Sequence, residues 1–193
     1  MIKLVAATHN KGKLKEFGDM LGSRYSILPI SDFTDVEPEE NGHSFEENAR
    51  IKARAAFEAS GLPSFGDDSG LCVDALGGAP GIYSARYAEG GAKARNLKLL
   101  GEMTAVPDDM RTARFVCCIA YCDNECEFTV RGECCGHILR EETGENGFGY
   151  DPLFFSDDLG KPFGMATAEE KDAVSHRGRA VKLLAAALDK MYA

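Results

Sequence analysis

The start of the chain joins a short strand to a helix, and this pattern most constrains the fold. Residues Lys3 to Ala7 form a β-prone apolar run, which passes through a polar loop, residues 8–12, into a helical pattern. One face of that pattern is apolar, with Leu14, Phe17, Met20 and Leu21, the spacing of an amphipathic helix. Tyr25 to Ile30 predicts the next strand. Strands that alternate with helices in this way are typical of an α/β fold.

The middle of the chain continues this alternation and then changes to strands alone. Ser44 and Glu47 have the capping-box spacing, which predicts a helix from Ser44 to about Ser60 that stops at Gly61. Pro63 to Phe65 predicts a short strand, and Asn96 to Met103 predicts another helix. Residues 112–140 predict a three-stranded meander, with strands Ala113–Tyr121, Glu125–Glu133 and Gly136–Leu139.

The last helix is predicted to start at Ser175. Its apolar stripe consists of Ala180, Leu184, Ala187, Leu188 and Met191. No segment of the chain has the composition of a domain linker, so we expect residues 1–193 to form a single domain. Interleaved strands and helices followed by a hairpin region predict an α/β fold with a mixed sheet.

Charge and hydropathy narrow the classes of partner. The formal net charge of −9 disfavours nucleic acid and anionic membranes as partners, because both repel it. An anionic substrate would therefore need a local cluster of cations. No apolar segment approaches the roughly 20 residues of a membrane span, and the N-terminal apolar run is too short for a signal peptide. A cytoplasmic location is the resulting expectation.

Six of the seven cysteines lie between Cys117 and Cys135. They form no Cys-x-x-Cys pair, and no histidine stands at zinc-finger spacing. A metal site and reduced thiols packed in core strands are the two interpretations, and the spacing favours the packed thiols.

The loop between the first strand and the first helix has residues that suit phosphate. A helix N-terminus presents unpaired N–H groups and the positive end of the helix dipole. Lys11 and Lys13 add positive charge, and Gly12 lets the backbone approach a ligand closely. The spacing is not that of a Walker A loop, and an ordinary capped turn is the alternative.

Carboxylates in the next segments suit a metal. Asn48 and Lys52 are four residues apart, so they share one face of the predicted helix. Glu40 precedes this helix in a loop, and Asp67 and Asp68 follow a predicted strand. Adjacent carboxylates are costly unless they are exposed or paired with a cation, and Mg²⁺ takes one or two carboxylates together with substrate phosphates. A solvated helix face and an Asx turn are the alternatives.

Two later motifs suit a nucleobase. The run Gly147 to Pro152 places aromatic rings on a glycine-rich loop, where an exposed ring can stack on a base and Asp151 can accept a hydrogen bond. Lys171 precedes a helix start at which Ser175 is the predicted N-cap and His176 and Arg177 oppose the helix dipole. A cation placed against the dipole suggests a functional reason. A structural turn and a tolerated surface pair are the alternatives.

Six motifs follow one another in a fixed order along the chain. They are Thr8-x-Asn10-x-x-Lys13, Ser44-Phe45-x-Glu47-Asn48-Ala49, Asp67-Asp68-Ser69-Gly70-Leu71, Gly77 to Tyr87, Gly147-Phe148-Gly149-Tyr150-Asp151-Pro152 and Ser175-His176-Arg177-Gly178. Together they closely resemble the inosine triphosphate pyrophosphatase family, the dITP/XTP pyrophosphatases. Each motif is weak or moderate alone, but the set spans essentially the whole chain and is highly specific. Gly66 is a departure, since the family more often has alanine there, and it is expected to loosen a turn before the aspartates.

The resemblance implies a fold and a reaction. The fold would be α/β, an elongated mixed β-sheet with flanking helices and two lobes around a central substrate cleft, assembled as a homodimer. The reaction would be the hydrolysis of dITP, ITP or XTP to the nucleoside monophosphate and pyrophosphate, which cleanses the nucleotide pool. Mg²⁺ would be the cofactor.

The resemblance also implies residue roles. Asp68 would be the catalytic proton acceptor and would hold the metal together with Glu40. Substrate binding would involve Thr8, His9, Asn10, Lys11, Gly12, Lys13, Lys52, Ser69, Phe148, Gly149, Tyr150, Asp151, Lys171, His176 and Arg177.

Two alternatives are a binding protein from a different functional class and an enzyme with a different substrate. One is a non-catalytic nucleotide sensor on the same fold, which would have little need of Glu40, Asp68 and Lys13 together. The other is a pyrophosphatase for modified pyrimidine nucleotides, against which the Phe148 and Ser175 motifs argue.

Overall fold

Seven strands form one mixed sheet in the computed structural model, which describes every residue from Met1 to Ala193. In chain order the strands are β1 Ile2–Ala6, β2 Tyr25–Pro29, β3 Ser64–Val73, β4 Thr112–Cys122, β5 Glu127–Ile138, β6 Phe154–Ser156 and β7 Lys161–Pro162. Their order across the sheet is β2-β1-β3-β4-β5-β6-β7. β1 is parallel to β2 and β3, whereas β6 is antiparallel to β5 and β7. The predicted α/β fold with a mixed sheet is confirmed.

Five α-helices flank the sheet: α1 Lys11–Leu21, α2 Phe45–Ser60, α3 Gly91–Glu102, α4 Ala168–Val174 and α5 His176–Met191. None of them combines the length and the apolar character that a membrane crossing requires. α2 ends as predicted, at Gly61 in the left-handed region with φ 66°. Its predicted capping box is only half formed: Ser44 Oγ accepts from Glu47 N, but the Glu47 carboxylate accepts from His43 N, one residue before the cap.

Some observed elements differ from the predicted ones, and β3 is longer than the predicted short strand Pro63–Phe65. Residues 112–140 form two strands, because β5 runs without a break through Gly136 and absorbs the predicted third strand. α3 begins at Gly91, before the predicted start at Asn96. α4 was not predicted, although Thr167 and Glu170 make both hydrogen bonds of a capping box.

The chain divides into two compact units. Unit 1 comprises Met1–Asp68, Cys117–Gly132 and Arg179–Ala193, and unit 2 comprises Ser69–Val116 and Glu133–Gly178. The two units are therefore built from interleaved segments of the chain.

The core of unit 1 packs α1 and α5 against the strands. Phe17 of α1 meets Phe65 of β3 edge to face, with ring centroids 5.0 Å apart. The predicted apolar face of α1 is confirmed, since Phe17 and Leu21 are buried and Leu14 and Met20 pack beside them. Ala180, Leu184 and Leu188 of α5 are buried in this core, and Tyr192, directly after the helix, packs against it. Met191 is exposed, so the prediction that it belongs to the apolar stripe is wrong.

Unit 2 has an aromatic core of its own. Phe115, Phe154 and Phe163 pack together with centroid separations of 4.7–6.1 Å. Buried thiols line the cores of both units, with Cys117 in unit 1 and Cys134 in unit 2. All seven cysteines are free thiols, and these buried positions agree with thiols that pack as small apolar side chains.

Arg111 joins three segments of unit 2 from a buried position. Its side chain is 3% exposed. Nε donates to Ile138 O at 2.7 Å, Nη1 to Met103 O at 2.7 Å and Nη2 to Leu139 O at 2.9 Å. The guanidinium group therefore satisfies carbonyls after α3 and at the end of β5.

We expect Arg111→Met to lower the free energy of unfolding by about 2–4 kcal/mol, because it removes three hydrogen bonds from a charged donor and leaves buried carbonyls without them. Urea unfolding measures this loss. Arg114→Met is the matched control, since Arg114 lies on β4, is half-exposed and pairs with Asp74. Its loss is expected to stay below about 1 kcal/mol, and equal losses in the two variants would contradict the role of Arg111.

Candidate active site

Asp67 and Asp68 lie inside strand β3. The alternative of an Asx turn at these residues is therefore wrong, because both belong to a strand paired within the sheet. Asp67 is 2% exposed and Asp68 is 8% exposed. Two adjacent carboxylates so deeply buried require cations close by.

Two lysines of unit 1 supply these cations. Lys52 Nζ lies 2.8 Å from Glu40 Oε1 and 3.5 Å from Asp68 Oδ1, and it donates to Asp67 O at 3.1 Å. Lys13 Nζ donates to Asp67 Oδ2 at 2.7 Å. These five residues form the cation–carboxylate cluster. Two cations and three carboxylates leave a formal charge of −1, so a strongly anionic ligand would need further positive charge here.

The electrostatics of this cluster suit a protonated lysine and a basic carboxylate. Burial raises the pKa of the Asp68 carboxyl above its usual value, while Lys52 and Asn48 oppose that rise and Glu40 and Asp67 add to it. Burial alone would lower the pKa of Lys52, but Asp68, Asp67 and Glu40 outweigh burial and raise it. Lys52 is therefore charged at neutral pH.

Glu40 and Asp68 have the chemistry of ligands for a hard cation. An oxygen of each reaches the same ammonium group, so both are directed towards one small region. Mg²⁺ prefers oxygen ligands and commonly uses one or two carboxylates, with phosphate or water for the rest of its shell. No group of three or more His, Cys, Asp or Glu side chains suited to a metal is present in the chain.

The predicted phosphate loop is a capped turn before α1. Asn10 is the N-cap, and its Oδ1 accepts from Gly12 N at 2.8 Å and from Lys13 N at 3.3 Å. Thr8 Oγ1 accepts from Asn10 N at 3.2 Å. Thr8 and Asn10 thus shape the turn, and Lys13 extends from it to the cation–carboxylate cluster.

His9 and Lys11 stand at the surface of the same loop. His9 Nδ1 lies 2.8 Å from Glu37 Oε1. Both His9 and Lys11 are exposed, so either is accessible to a ligand bound at this turn.

Unit 2 contains a second set of predicted site residues, around the ring of Phe148. This ring is 58% exposed. Lys171 Nζ lies 4.4 Å and Arg177 Cζ 5.9 Å from its centroid, and Arg177 Nη2 is 3.5 Å from Ser69 Oγ. These residues, with Asp151 and His176, form the aromatic cluster. An exposed ring flanked by cations suits an aromatic ligand with acceptor atoms.

Asp151 holds the loop that carries Phe148. Its Oδ2 accepts from Phe148 N at 2.7 Å and pairs with Lys171 Nζ at 2.5 Å. Gly147 has φ 79°, and a Cβ there would lie 2.3 Å from Asp151 Oδ2, so glycine is required. The loop is therefore fixed by the carboxylate it encloses.

Four predicted substrate-binding residues are buried: Tyr150, Asp151, His176 and Arg177. The His176 ring stacks on Phe115, with centroids 4.8 Å apart and an interplanar angle of 14°. Tyr150 donates its hydroxyl hydrogen to Ser84 O at 2.9 Å, and burial raises the pKa of Tyr150 to about 12. The Tyr150 ring belongs to the core of unit 2, so a role for Tyr150 in substrate binding is restricted to its backbone.

Three residues outside the predicted site support it. Asp67 anchors Lys13. Asn48 Nδ2 donates to Asp68 Oδ2 at 3.1 Å. Asn96 Nδ2 donates to Gly149 O at 3.1 Å, within the loop of Phe148. The spacing of Asn48 from Lys52 indicated a shared helix face without indicating what it faces, and Asn96 carried no sequence signal.

Gly66 lets α2 lie directly against β3. A Cβ on Gly66 would come within 2.6 Å of Lys52 Cβ, 2.8 Å of Ala53 N and 2.9 Å of Ala49 O. The prediction that Gly66 loosens a turn is wrong, because the residue lies in β3. Its missing side chain instead sets the distance between Lys52 and the aspartates.

The fold is that of an α/β protein with a mixed sheet. The cluster of unit 1 has the chemistry of a site for a metal ion and anionic groups, and the cluster of unit 2 has that of a site for an aromatic ring. The family model described as the Ham1 family matches residues 4–187, and the chain belongs to this family. A dITP/XTP pyrophosphatase of Pseudomonas aeruginosa is 52% identical over 186 residues, which covers 94% of each chain. The resemblance carried by the six motifs is confirmed.

Solved structures agree with this assignment. A HAM1 protein from Coxiella burnetii superposes with a TM-score of 0.92 at 38% identity and covers 98% of this chain and 100% of that chain. The Staphylococcus aureus Ham1 protein gives a TM-score of 0.91 at 39% identity and covers 98% and 99%. The fold of the family therefore extends over nearly all of this chain.

We expect Gly66→Ala to lower the free energy of unfolding by about 1–3 kcal/mol, because α2 must move away from β3 to admit the methyl group. Urea unfolding measures this change. Gly18→Ala is the matched control, since a Cβ at Gly18 in α1 meets nothing within 4 Å. The control should gain roughly 0.5–1 kcal/mol from helix propensity. A Gly66→Ala variant as stable as the wild type would contradict the close packing.

Proposed function

We propose that this chain hydrolyses the non-standard purine nucleoside triphosphates dITP, ITP and XTP to the nucleoside monophosphate and pyrophosphate. The convergence of Lys13, Lys52, Glu40 and Asp68 in one cluster carries the proposal. Membership of the Ham1 family supports it, because the P. aeruginosa relative is named a dITP/XTP pyrophosphatase. Such an activity would cleanse the nucleotide pool.

The triphosphate would bind at the cation–carboxylate cluster and the loop before α1. Lys13 and Lys52 now contact Asp67 and Glu40, and each would direct part of its hydrogen-bonding capacity to phosphate oxygens. Glu40 and Asp68 would hold Mg²⁺. When bound, Mg²⁺ supplies positive charge to the phosphate oxygens and polarises a bound water.

Hydrolysis would break the anhydride bond between the α-phosphorus and the bridging oxygen to the β-phosphorus. A water molecule attacks the α-phosphorus, and its proton passes to Asp68. Burial raises the pKa of Asp68, which makes it a stronger base than an exposed carboxylate. Lys13 and Lys52 would donate hydrogen bonds to the pyrophosphate as negative charge develops on it.

The aromatic cluster would bind the purine. Phe148 offers an exposed ring for stacking. Hypoxanthine and xanthine carry an O6 acceptor and an N1–H donor, and adenine reverses both. Arg177 or His176 would donate a hydrogen bond to O6, and an acceptor of the Phe148–Asp151 loop would accept one from N1–H. Adenine would then place a donor against a donor and an acceptor against an acceptor. Sites of this kind reject such analogues by about 10⁴-fold.

We further propose that the active form is a cytoplasmic homodimer, as the family resemblance implies. Light scattering at assay concentration tests the assembly. A mass of two chains is expected, and a stable monomer with full activity would overturn this part of the proposal.

The function is tested by pyrophosphate release from dITP, XTP, dGTP, dATP and dTTP, with Mg²⁺ or with EDTA. We expect kcat/KM for dITP and XTP to exceed that for dATP and dTTP by at least about 100-fold, and EDTA to abolish the reaction. Equal rates across the panel would contradict the proposal. Binding of dITP without pyrophosphate release would instead favour the nucleotide sensor.

Asp68→Asn is the control for this assay. Asparagine has nearly the shape of aspartate but neither its charge nor its basicity, so kcat is expected to fall by at least about 100-fold. Near-normal turnover with unchanged Mg²⁺ dependence would show that Asp68 has neither of its proposed roles.

A further inference from the structure

The side-chain amide of Asn48 is fully buried beside the cation–carboxylate cluster, and the proposed reaction gives it no role. Nδ2 donates to Asp68 Oδ2 at 3.1 Å, and Oδ1 accepts from Gly42 N at 2.9 Å. A carboxylate can only accept and a backbone N–H can only donate, so these two partners set the orientation of the amide. Asn48 therefore connects β3 to the loop that carries Glu40.

Two residues of helix α2 contact the two carboxylate oxygens of Asp68 separately. Asn48 contacts Oδ2, and Lys52, one turn later on α2, lies 3.5 Å from Oδ1. Residues four apart on a helix lie on the same face. The plane of the Asp68 carboxylate is thus set from α2, with Oδ1 on the side of Lys52 and Glu40.

The Glu40 loop is tied to the same helix at successive points. Besides the bond from Gly42 N to Asn48, His43 N donates to Glu47 Oε2 at 2.7 Å, and Glu40 pairs with Lys52. A Cβ on Gly42 would lie 2.6 Å from Asn48 Oδ1 and 2.8 Å from Glu47 Cβ. The loop lies flat against α2 because residue 42 has no side chain.

We propose that Asn48 is a positioning residue for the reaction. Its hydrogen bond to Asp68 Oδ2 directs Asp68 Oδ1 towards the water and the metal, and its hydrogen bond from Gly42 N holds the Glu40 loop beside Asp68. This inference rests on the proposed function. Asn48 acts through Asp68 and Gly42 and does not contact the reacting atoms. The groups that hold a metal or a base at a fixed orientation contribute to activity much as the ligands themselves do.

The variant Asn48→Asp tests the positioning of Asp68 separately from the attachment of the Glu40 loop to α2. Aspartate keeps the shape of the side chain and an acceptor for Gly42 N–H, but it replaces the donor to Asp68 with a second carboxylate. We expect kcat for dITP to fall by about 10–100-fold, the range found when such a supporting partner is lost. KM for dITP should change by less than about threefold, because Lys13 and the aromatic cluster are untouched.

Asn48→Ala removes both hydrogen bonds. It should lower kcat to a similar extent and raise the Mg²⁺ concentration for half-maximal rate by about tenfold, since neither Asp68 nor the Glu40 loop is then held. Ser64→Ala is the matched control, because Ser64 is also fully buried on β3 and its hydroxyl donates to Leu62 O at 2.8 Å. This control should lose stability but keep the wild-type kcat and Mg²⁺ dependence.

Thermal unfolding of each variant, and assays well below its Tm, separate folding from catalysis. If Asn48→Asp does not fold, the comparison of Asn48→Ala with Ser64→Ala carries the test. An active wild type whose Asn48 variants keep the wild-type kcat and Mg²⁺ dependence would overturn the positioning role alone. A folded wild type that releases no pyrophosphate from dITP or XTP would overturn the proposed function itself.

Discussion

The ammonium group of Lys52 is the contact on which the cation–carboxylate cluster depends. Glu40 and Asp68 bring carboxylate oxygens to it, and Asp67 brings its backbone carbonyl oxygen, while the Asp67 carboxylate pairs with Lys13. Without these two cations the three carboxylates would repel one another. Their combined charge in turn keeps Lys52 protonated although burial works against it. Each side of the cluster is stable only in the presence of the other.

Helix α2 turns this electrostatic balance into a fixed geometry. It carries Asn48 and Lys52 on one face, and Gly66 lets its backbone lie against β3. A site built on a helix packed directly on a strand is held more rigidly than a site on loops. The Glu40 loop is the less constrained partner, and its hydrogen bonds to α2 compensate for this.

In unit 2 the aromatic cluster is built around the junction of two helices, α4 and α5. Ser175 ends α4, and its hydroxyl oxygen accepts a hydrogen bond from Gly178 N in the first turn of α5. Ser175 is the single residue between the two helices, of which α4 carries Lys171 and α5 carries Arg177. Lys171 then reaches Asp151, which encloses its own loop. Lys171 lies in the last turn of α4, where a cation is favourable, whereas Arg177 lies in the first turn of α5 and opposes the helix dipole. Both lie near the exposed ring of Phe148.

Local residue patterns were sufficient to predict α1, α2 and α5, because helix periodicity and helix caps depend on a few neighbouring residues. They also indicated which residue types form the site, since carboxylates, lysines and aromatic rings carry their chemistry wherever they lie. Packing decided the rest. Asp67 and Asp68 lie in a strand, β5 absorbs a predicted third strand, and the Tyr150 ring is buried, because sheet pairing and burial depend on distant segments.

The contacts of the site show the same division most clearly. Lys13 meets Asp67 across 54 residues, and Asn48 meets Asp68 across 20. Periodicity and capping do not extend over such separations. The residues alone thus determine which groups are available for chemistry, and the docking of α1 and α2 on β3 determines which oxygen of Asp68 faces which partner, because only packing brings side chains from separate elements within hydrogen-bonding distance.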